Sequence, residues 1–363
     1  MSEANAVRRT VQCAHVVGGL STPLLVLVFA AGAVATWIAG TALSKTTDVI
    51  DRRFDLGDAF GGVILLAVAG SLPELAITVS AAASGNLALA AGNLIGGIAV
   101  QTMVLVVCDA AASRTQALTY LVGSLIPVLE GLLVIFVVSG VLMGSLLPES
   151  TAIGPLSPAS LAIAVIWLGG VWLLNTVRRR PAWKVDMPGS RPGRRHHREP
   201  HPAAKPMAAG RAIVLFAAAS LVTLVAGVML EVTGNHLADR AHINGVIFGA
   251  TILAVATALP EISSGVAAVR LGDNELAVAD IFGGNSFQVV LFVVADLVAG
   301  KPVLPQAGHQ NAWLADVGIS LSVIYCWGVI RRREDTIWRL GRDSVLALVV
   351  FGLGIAGLVV VHA

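Results

Sequence analysis

The sequence predicts an all-α integral membrane protein whose ten transmembrane helices form two inverted five-helix repeats. Three observations carry this expectation. Of the 363 residues, 56% are hydrophobic and only 13% charged, about half the charge of a soluble domain. Much of the apolar material falls in blocks long enough to cross a bilayer. A stretch of the chain also recurs 187 positions later without a gap: Leu72-Pro73-Glu74, Gly85, Leu89-Ala90, Gly96-Gly97 and Gln101 return as Leu259-Pro260-Glu261, Gly272, Leu276-Ala277, Gly283-Gly284 and Gln288. Matching positions make up about a third of this stretch, where unrelated apolar segments would match at roughly a tenth. Finally, the positive charges are segregated in a way that orients the two copies oppositely.

The expected spans are 20–43, 57–82, 86–110, 117–143, 156–177, 211–233, 243–269, 274–298, 311–330 and 343–362. The first is longer than a signal-peptide core and reads as a retained span. The fourth is the least regular, with Pro127 and Glu130 inside it. The stretch 178–210 has no apolar period and is rich in Arg, Pro and His, so it reads as a basic linker. It joins a first half, 20–177, containing repeat 1 (about 57–110), to a second half, 211–363, containing repeat 2 (about 243–298). With the linker in the cytoplasm, 20 of the 24 Lys and Arg fall on that side. Both termini then lie outside, and the Glu74 span enters from the cytoplasm while the Glu261 span enters from outside. Inverted repeats of this kind are a transporter architecture.

The chemistry is expected where the repeats carry polar groups. A carboxylate inside an apolar span is costly and usually functional, and two at matching places suggest one shared site. Each Glu follows a proline, which removes a backbone donor and frees the carbonyl four residues earlier. In a membrane a bound cation can satisfy that carbonyl. Glu74, Glu261, the freed carbonyls and the hydroxyls of Ser71 and Thr257 would make an all-oxygen site for a hard cation such as Ca²⁺ or Na⁺. Asn93 and Asp280 share one repeat position, and Gln101 and Gln288 another. Asp280 adds a third carboxylate, whereas the glutamines serve either as ligands or as ties between helices. The paired glycines permit close backbone approach. Asp109 and Asp296 stand near span ends, where water is expected, and Glu130 reads as structural. His196, His197 and His201 belong to a solvated basic linker that can touch anionic headgroups. Cys13, Cys108 and Cys326 are too far apart in sequence to imply a disulfide framework or a CxxC site.

Together these residues resemble the Ca²⁺/cation antiporter superfamily, which includes the sodium/calcium exchangers. Its two inverted motifs run G-[TS]-S-[LV]-P-E and then G-N-x-x-G-S-N-x-x-[ND]. Here the first reads Ala69-Gly70-Ser71-Leu72-Pro73-Glu74 and Ala256-Thr257-Ala258-Leu259-Pro260-Glu261. The resemblance implies that Glu74 and Glu261 are the central cation ligands and that Ser71 and Thr257 assist. The chain departs from the pattern at Gly70, Ala258, Gly97 and Gly284, where hydroxyls are missing, at Gln101 and Gln288, and at Asp280, where the motif has Asn.

The expected function is secondary exchange of Ca²⁺ for Na⁺ or H⁺ by alternating access, in the plasma or inner membrane. A monovalent cation/proton exchanger and a passive cation channel are the alternatives. No HExxH or GxSxG occurs, so an enzyme is not expected. Neither are a cofactor, a nucleic acid or an obligate protein partner. The partners are inorganic cations and the lipid bilayer.

Overall fold

The computed structural model describes residues 19–54, 68–113, 115–179, 207–243 and 245–362. Most of the expected linker, its three histidines, Cys13 and the first part of the second expected span lie outside these residues. The described chain is helical apart from turns and one short hairpin. The helices are α1 (Thr22–Phe54), α2 (Leu72–Ala83), α3 (Leu87–Ala112), α4 (Leu118–Leu121), α5 (Ile126–Ser145), α6 (Pro158–Arg179) and α7 (Ala209–Ala241). There follow α8 (Gly245–Phe248), a π turn at Gly249–Leu253, α9 (Ala254–Thr257), α10 (Leu259–Arg270), α11 (Asn274–Gln288), α12 (Leu291–Ala299), α13 (Gly308–Arg331) and α14 (Arg342–His362). Helices satisfy their own backbone, which is what an apolar chain in lipid requires.

Among the described residues, seven helical segments are long and apolar enough to cross a membrane, and an eighth candidate is the α8–α10 run, bent by 47°. Two further apolar helices, α2 and α14, fall at the expected second and tenth spans. Several boundaries differ from expectation. The fourth span begins at Ile126 rather than 117, because Pro127 can occupy a first helical turn but not an interior one. The stretch before it forms the separate single turn α4. Helices α1 and α7 each run 33 residues, well past the apolar stretch. Hydropathy marks lipid contact, and helical hydrogen bonding continues through the polar residues beyond it. The eighth span breaks at Val289 and Val290, between α11 and α12.

Helix α3 is the centre of the molecule. Its apolar window is buried along 78% of its length, against 22% for α1 and 28% for α6 and α7. A helix that is apolar all round must be surrounded, and Leu94, Ile95 and Ile98 are buried in the main core cluster. Outer helices present Leu27, Ile38, Val214, Leu221 and Trp172 at the surface, as lipid contact requires.

The 187-residue spacing recurs in local geometry well beyond the copied motif. Gly85 and Gly272 take left-handed φ values of 79° and 82°, a backbone that suits glycine at a helix end. The next residues, Asn86 and Asp273, cap α3 and α11 by accepting from Leu89 N and Leu276 N at 3.2 and 3.1 Å. A Cβ on Gly40 of α1 would lie 2.5 Å from Pro260 Cγ, and one on Gly227 of α7 3.1 Å from the Pro73 carbonyl oxygen. Each long outer helix thus lies against the proline of the other copy. Helices α1 and α7 also pack along one another.

Asp109 and Asp296 correct an expectation. Both are buried rather than wet, and they too are separated by 187 positions. Asp109 accepts from Leu118 N at 2.6 Å and Gly341 N at 2.7 Å. Asp296 accepts from Ser157 N at 2.9 Å, the Ser160 hydroxyl at 2.7 Å and Val303 N at 2.7 Å. Each carboxylate ties its own following loop to a loop of the other half. The Asp109 partner Gly341 closes a hairpin, Thr336–Ile337 with Leu340–Gly341, whose turn residues Trp338 and Arg339 have positive φ. Replacing Asp296 or Asp109 by Ala would orphan two buried backbone donors, at a cost of about 3 kcal/mol or more. Thermal unfolding in detergent is expected to fall by several degrees for each. Unchanged melting in both variants would return these carboxylates to a solvent role.

Candidate cation site

Two breaks in the helices position the site. Residues 68–70 are helical, Ser71 is a turn, and α2 starts at Leu72. In the second copy α9 ends at Thr257, Ala258 is a turn, and α10 starts at Leu259. Both turn residues sit near ψ 0°, Ser71 at φ −93° and ψ 14°, Ala258 at φ −80° and ψ 0°. Pro73 and Pro260 then fall in the first turns of α2 and α10, and Glu74 and Glu261 immediately follow. The prolines leave the Ala69 and Ala256 carbonyls without their helical donors, so carbonyl ends and carboxylates gather at the breaks.

The two breaks meet. Glu74 is 1% exposed, and its Oε1 accepts from Gln101 Nε2 at 2.9 Å. Thr257, from the second copy, is buried at the end of α9, close to the Glu74 carboxylate. Glu261, half-buried, lies close enough to Glu74 and Asp280 for their charges to act on it. Glu74 Oε2 and Glu261 Oε2 are both buried without a hydrogen-bond partner. Neither carboxylate has a Lys or Arg partner among the described residues. Asn93 is fully buried on α3, and its amide oxygen and nitrogen also lack partners. Such orphaned oxygens cost free energy in an apolar interior, and a cation bridging them would offset that cost. The donor set, two carboxylates with hydroxyl and amide oxygens, suits a hard cation.

The remaining candidates fall into place around this pair. Ser71 is buried at the first break, without a side-chain cap bond to α2. Thr257 also donates to Ala254 O at 3.1 Å. Gln288 does not face Glu261. It ends α11 and reaches across to α3, donating to Leu94 O at 2.9 Å and Asn93 O at 3.3 Å. Asp280 stands one step off, accepting from the Ser264 hydroxyl at 3.3 Å. Among the described residues no three acidic, His or Cys side chains come together as a metal cluster, so Asp280 is a neighbour of the pair. The copies cross near Asn285, whose Nδ2 donates to Thr102 Oγ1 at 3.0 Å and lies 3.4 Å from Ile98 O. Ile98 is the residue 187 positions earlier, and a residue that touches its own counterpart marks a pseudo-two-fold axis.

Two buried acids complete the picture. Glu130 forms an ion pair with Arg178 at the end of α6, in keeping with a structural role. Glu231, on α7, was not singled out by sequence; it is 3% exposed and accepts from Ser80 Oγ at 2.8 Å. The signal was available, since it too is a carboxylate within an apolar span.

A helical, multi-pass membrane protein with a buried pair of carboxylates contributed by two copies of one motif is a cation transporter by architecture. The sodium/calcium exchanger protein model matches residues 24–178 and 211–362, and the chain belongs to that family of cation antiporters. It is 27% identical over 317 residues to the inner membrane protein YrbG of Escherichia coli (strain K12), covering 85% of this chain and 89% of that protein. It is 24% identical over 259 residues to the putative antiporter CaxA of Alkalimonas amylolytica, covering 71% and 75%. The H⁺/Ca²⁺ exchanger CAX shares the fold with a TM-score of 0.65 at 12% identity, over 98% of this chain and 93% of that one. The sodium-calcium exchanger NCX_Mj, soaked with 10 mM Na⁺ and 10 mM Sr²⁺, shares it with a TM-score of 0.58 at 16% identity, over 93% and 99%.

The position of Asp280 sets an expectation. Asp280→Asn removes a charge beside the pair, so the fold should be kept and divalent affinity should fall roughly 3- to 10-fold. Isothermal titration of the purified protein measures this. An unchanged affinity would give Asp280 a packing role only.

Proposed function

We propose that this antiporter moves Ca²⁺ against Na⁺ or H⁺, with the cation held between Glu74 and Glu261. The observation that carries the reading is the pair itself: two carboxylates from separate motif copies, each with a buried oxygen that no group among the described residues satisfies. Thr257, Asn93, Ser71 and Gln101 would supply neutral oxygens, and Gln288 and Asp280 would shape the surroundings. The similarity to CaxA, CAX and NCX_Mj supports a cation couple that includes Ca²⁺.

The same reading keeps ten spans, with the two copies inverted and two five-helix halves, 20–177 and 211–363, joined by a cytoplasmic linker at 178–210. The distribution of Lys and Arg supports this topology, with both termini outside, and the reading takes the membrane to be a plasma or inner membrane. Exchange follows from the energetics of burial. An empty site leaves two carboxylates facing one another in a low-dielectric interior, so the occluded state is reached only when cations neutralise them. A passive channel would not need that occlusion. Protons satisfy the neutrality condition without any further ligand, because each carboxylate can carry one.

The test is uptake of radiolabelled Ca²⁺ into proteoliposomes under an imposed Na⁺ or pH gradient. Saturable, gradient-driven uptake is expected. Glu74→Gln and Glu261→Gln should each remove most of it, since one remaining charge cannot balance a divalent ion. Binding should weaken as pH falls from about 8 to 5.5, because protons compete for the same oxygens. Full uptake in both Gln variants, with binding flat across pH, would exclude this site. Uptake of monovalent cations alone would transfer the reading to cation/proton exchange.

A further inference from the structure

Helices α13 and α14 meet at a cavity that belongs to no part of the cation site. It measures about 330 Å³ and lies at the hairpin end of the two helices. Val323, Trp327 and Leu346 give it an apolar wall, and Arg331, Arg333 and Arg342 give it a cationic end. Val323, Trp327 and Arg331 follow one another at single turns of α13, so the lining passes from apolar to charged over about 12 Å. Asp343 also borders the cavity, but its carboxylate is turned inward onto two buried glycines. A Cβ on Gly328 would lie 2.7 Å from Asp343 Oδ2, and one on Gly341 2.5 Å from its Oδ1.

The fold holds the arginines in place. Arg332 reverses the chain after α13 with φ 52°. Its guanidinium lies 5.5 Å from the Tyr120 ring centroid and donates to Tyr120 O at 3.1 Å and Val122 O at 3.3 Å. Arg342 opens α14 and pairs with Asp335 across the base of the hairpin at 2.5 Å. A guanidinium has several N–H donors, so this pair leaves some for a second anion. Of the other acids here, Glu334 accepts from Gln116 at 2.9 Å. The hairpin tip points to the same environment. Its two turn residues, Trp338 and Arg339, have φ values of 50° and 71°, a turn that favours Asn-Gly and strains a bulky residue. Trp338 is nevertheless there and 91% exposed, and an indole beside basic residues suits the membrane–water boundary. Val323, Trp327 and Ile330 form an exposed apolar face on α13, and Leu346, Val349 and Leu353 form one on α14. The cavity therefore borders the lipid-facing surface.

We propose that this cavity is a seat for one anionic phospholipid, with its phosphate on Arg331, Arg333 and Arg342 and an acyl chain along Val323, Trp327 and Leu346. The planar fork of arginine matches phosphate oxygens, and basic pockets between membrane helices take such headgroups. Charge selects this occupant. The basic stretch 178–210 of the chain is repelled by three arginines, and a zwitterionic lipid brings no net charge to them. A lipid in this seat ties α13, the hairpin and α14 together at the corner where Gly341 N meets Asp109. The seat is independent of the cation cargo.

Native mass spectrometry of the full chain, purified in detergent and depleted of lipid, tests this. Dioleoyl phosphatidylglycerol and dioleoyl phosphatidylcholine are titrated separately, and millimolar inorganic phosphate is added as a competitor. The first phosphatidylglycerol should bind roughly tenfold or more tightly than phosphatidylcholine. Arg331→Ala combined with Arg333→Ala should weaken that first binding event by roughly tenfold or more. Both arginines are exposed, so the fold should be kept. Should the double variant melt early, each single variant carries the test, with an expected loss of roughly fivefold. Arg339 lies on the hairpin outside the cavity, and Arg339→Ala should leave the affinity unchanged. Trp327→Ala should weaken phosphatidylglycerol binding roughly threefold by removing part of the apolar wall. Equal affinity for the two lipids overturns the seat, as does unchanged binding in the arginine variants. An equal loss from Arg339→Ala overturns it too, since the attraction would then be to the basic surface at large. Full displacement by inorganic phosphate overturns the acyl contact and leaves a free-phosphate site in its place.

Discussion

Two carboxylates held near one another in an apolar interior, with no basic side chain among the described residues to pair them, are the constraint on which the rest of the molecule depends. Charged groups in such a place are tolerated only with compensation. Here the protein compensates incompletely: Gln101 donates to Glu74, and among the described residues one oxygen of each carboxylate is left without a partner. A fully satisfied pair would be a structural feature. On the function proposed above, a half-satisfied pair is where a cation would sit, and its incompleteness would link occupancy to movement.

The broken helices follow from the same constraint. Proline at the first turn of α2 and α10 interrupts the backbone next to each Glu and turns carbonyls towards the site. Such breaks are stable in an apolar medium only where protein surrounds them. The surrounding helices therefore need close contact, and glycine provides it. Gly40 against Pro260 and Gly227 beside the Pro73 carbonyl bring α1 and α7 onto the breaks of the opposite copies. The breaks, the caps at Asn86 and Asp273 and the ties from Asp109 and Asp296 form a duplicated frame. The frame is rigid where it is hydrogen-bonded, and the glutamines that stand on it make different contacts in the two copies.

The sequence by itself determined the helical membrane class, showed which positions recur at a fixed spacing, and singled out Glu74 and Glu261 as candidate central acids. These follow from composition, from a fixed spacing and from the cost of charge in an apolar run, all of which are properties of a linear chain. The spacing even held more than was read from it: Gly40 with Gly227 and Asp109 with Asp296 obey it, although their residue types alone gave no reason to expect contact or burial. Tertiary structure decided what each polar residue touches. Asp109 and Asp296 became buried ties because loops from the other half fold over them, and Gln288 became a tie between helices because Gly97 leaves carbonyls on another helix uncovered. Gln101 and Gln288 are equivalent in sequence and different in space. A repeat in sequence fixes which positions correspond, but which of two corresponding interactions is made depends on the relative placement of two helices, and that is settled only by packing in three dimensions.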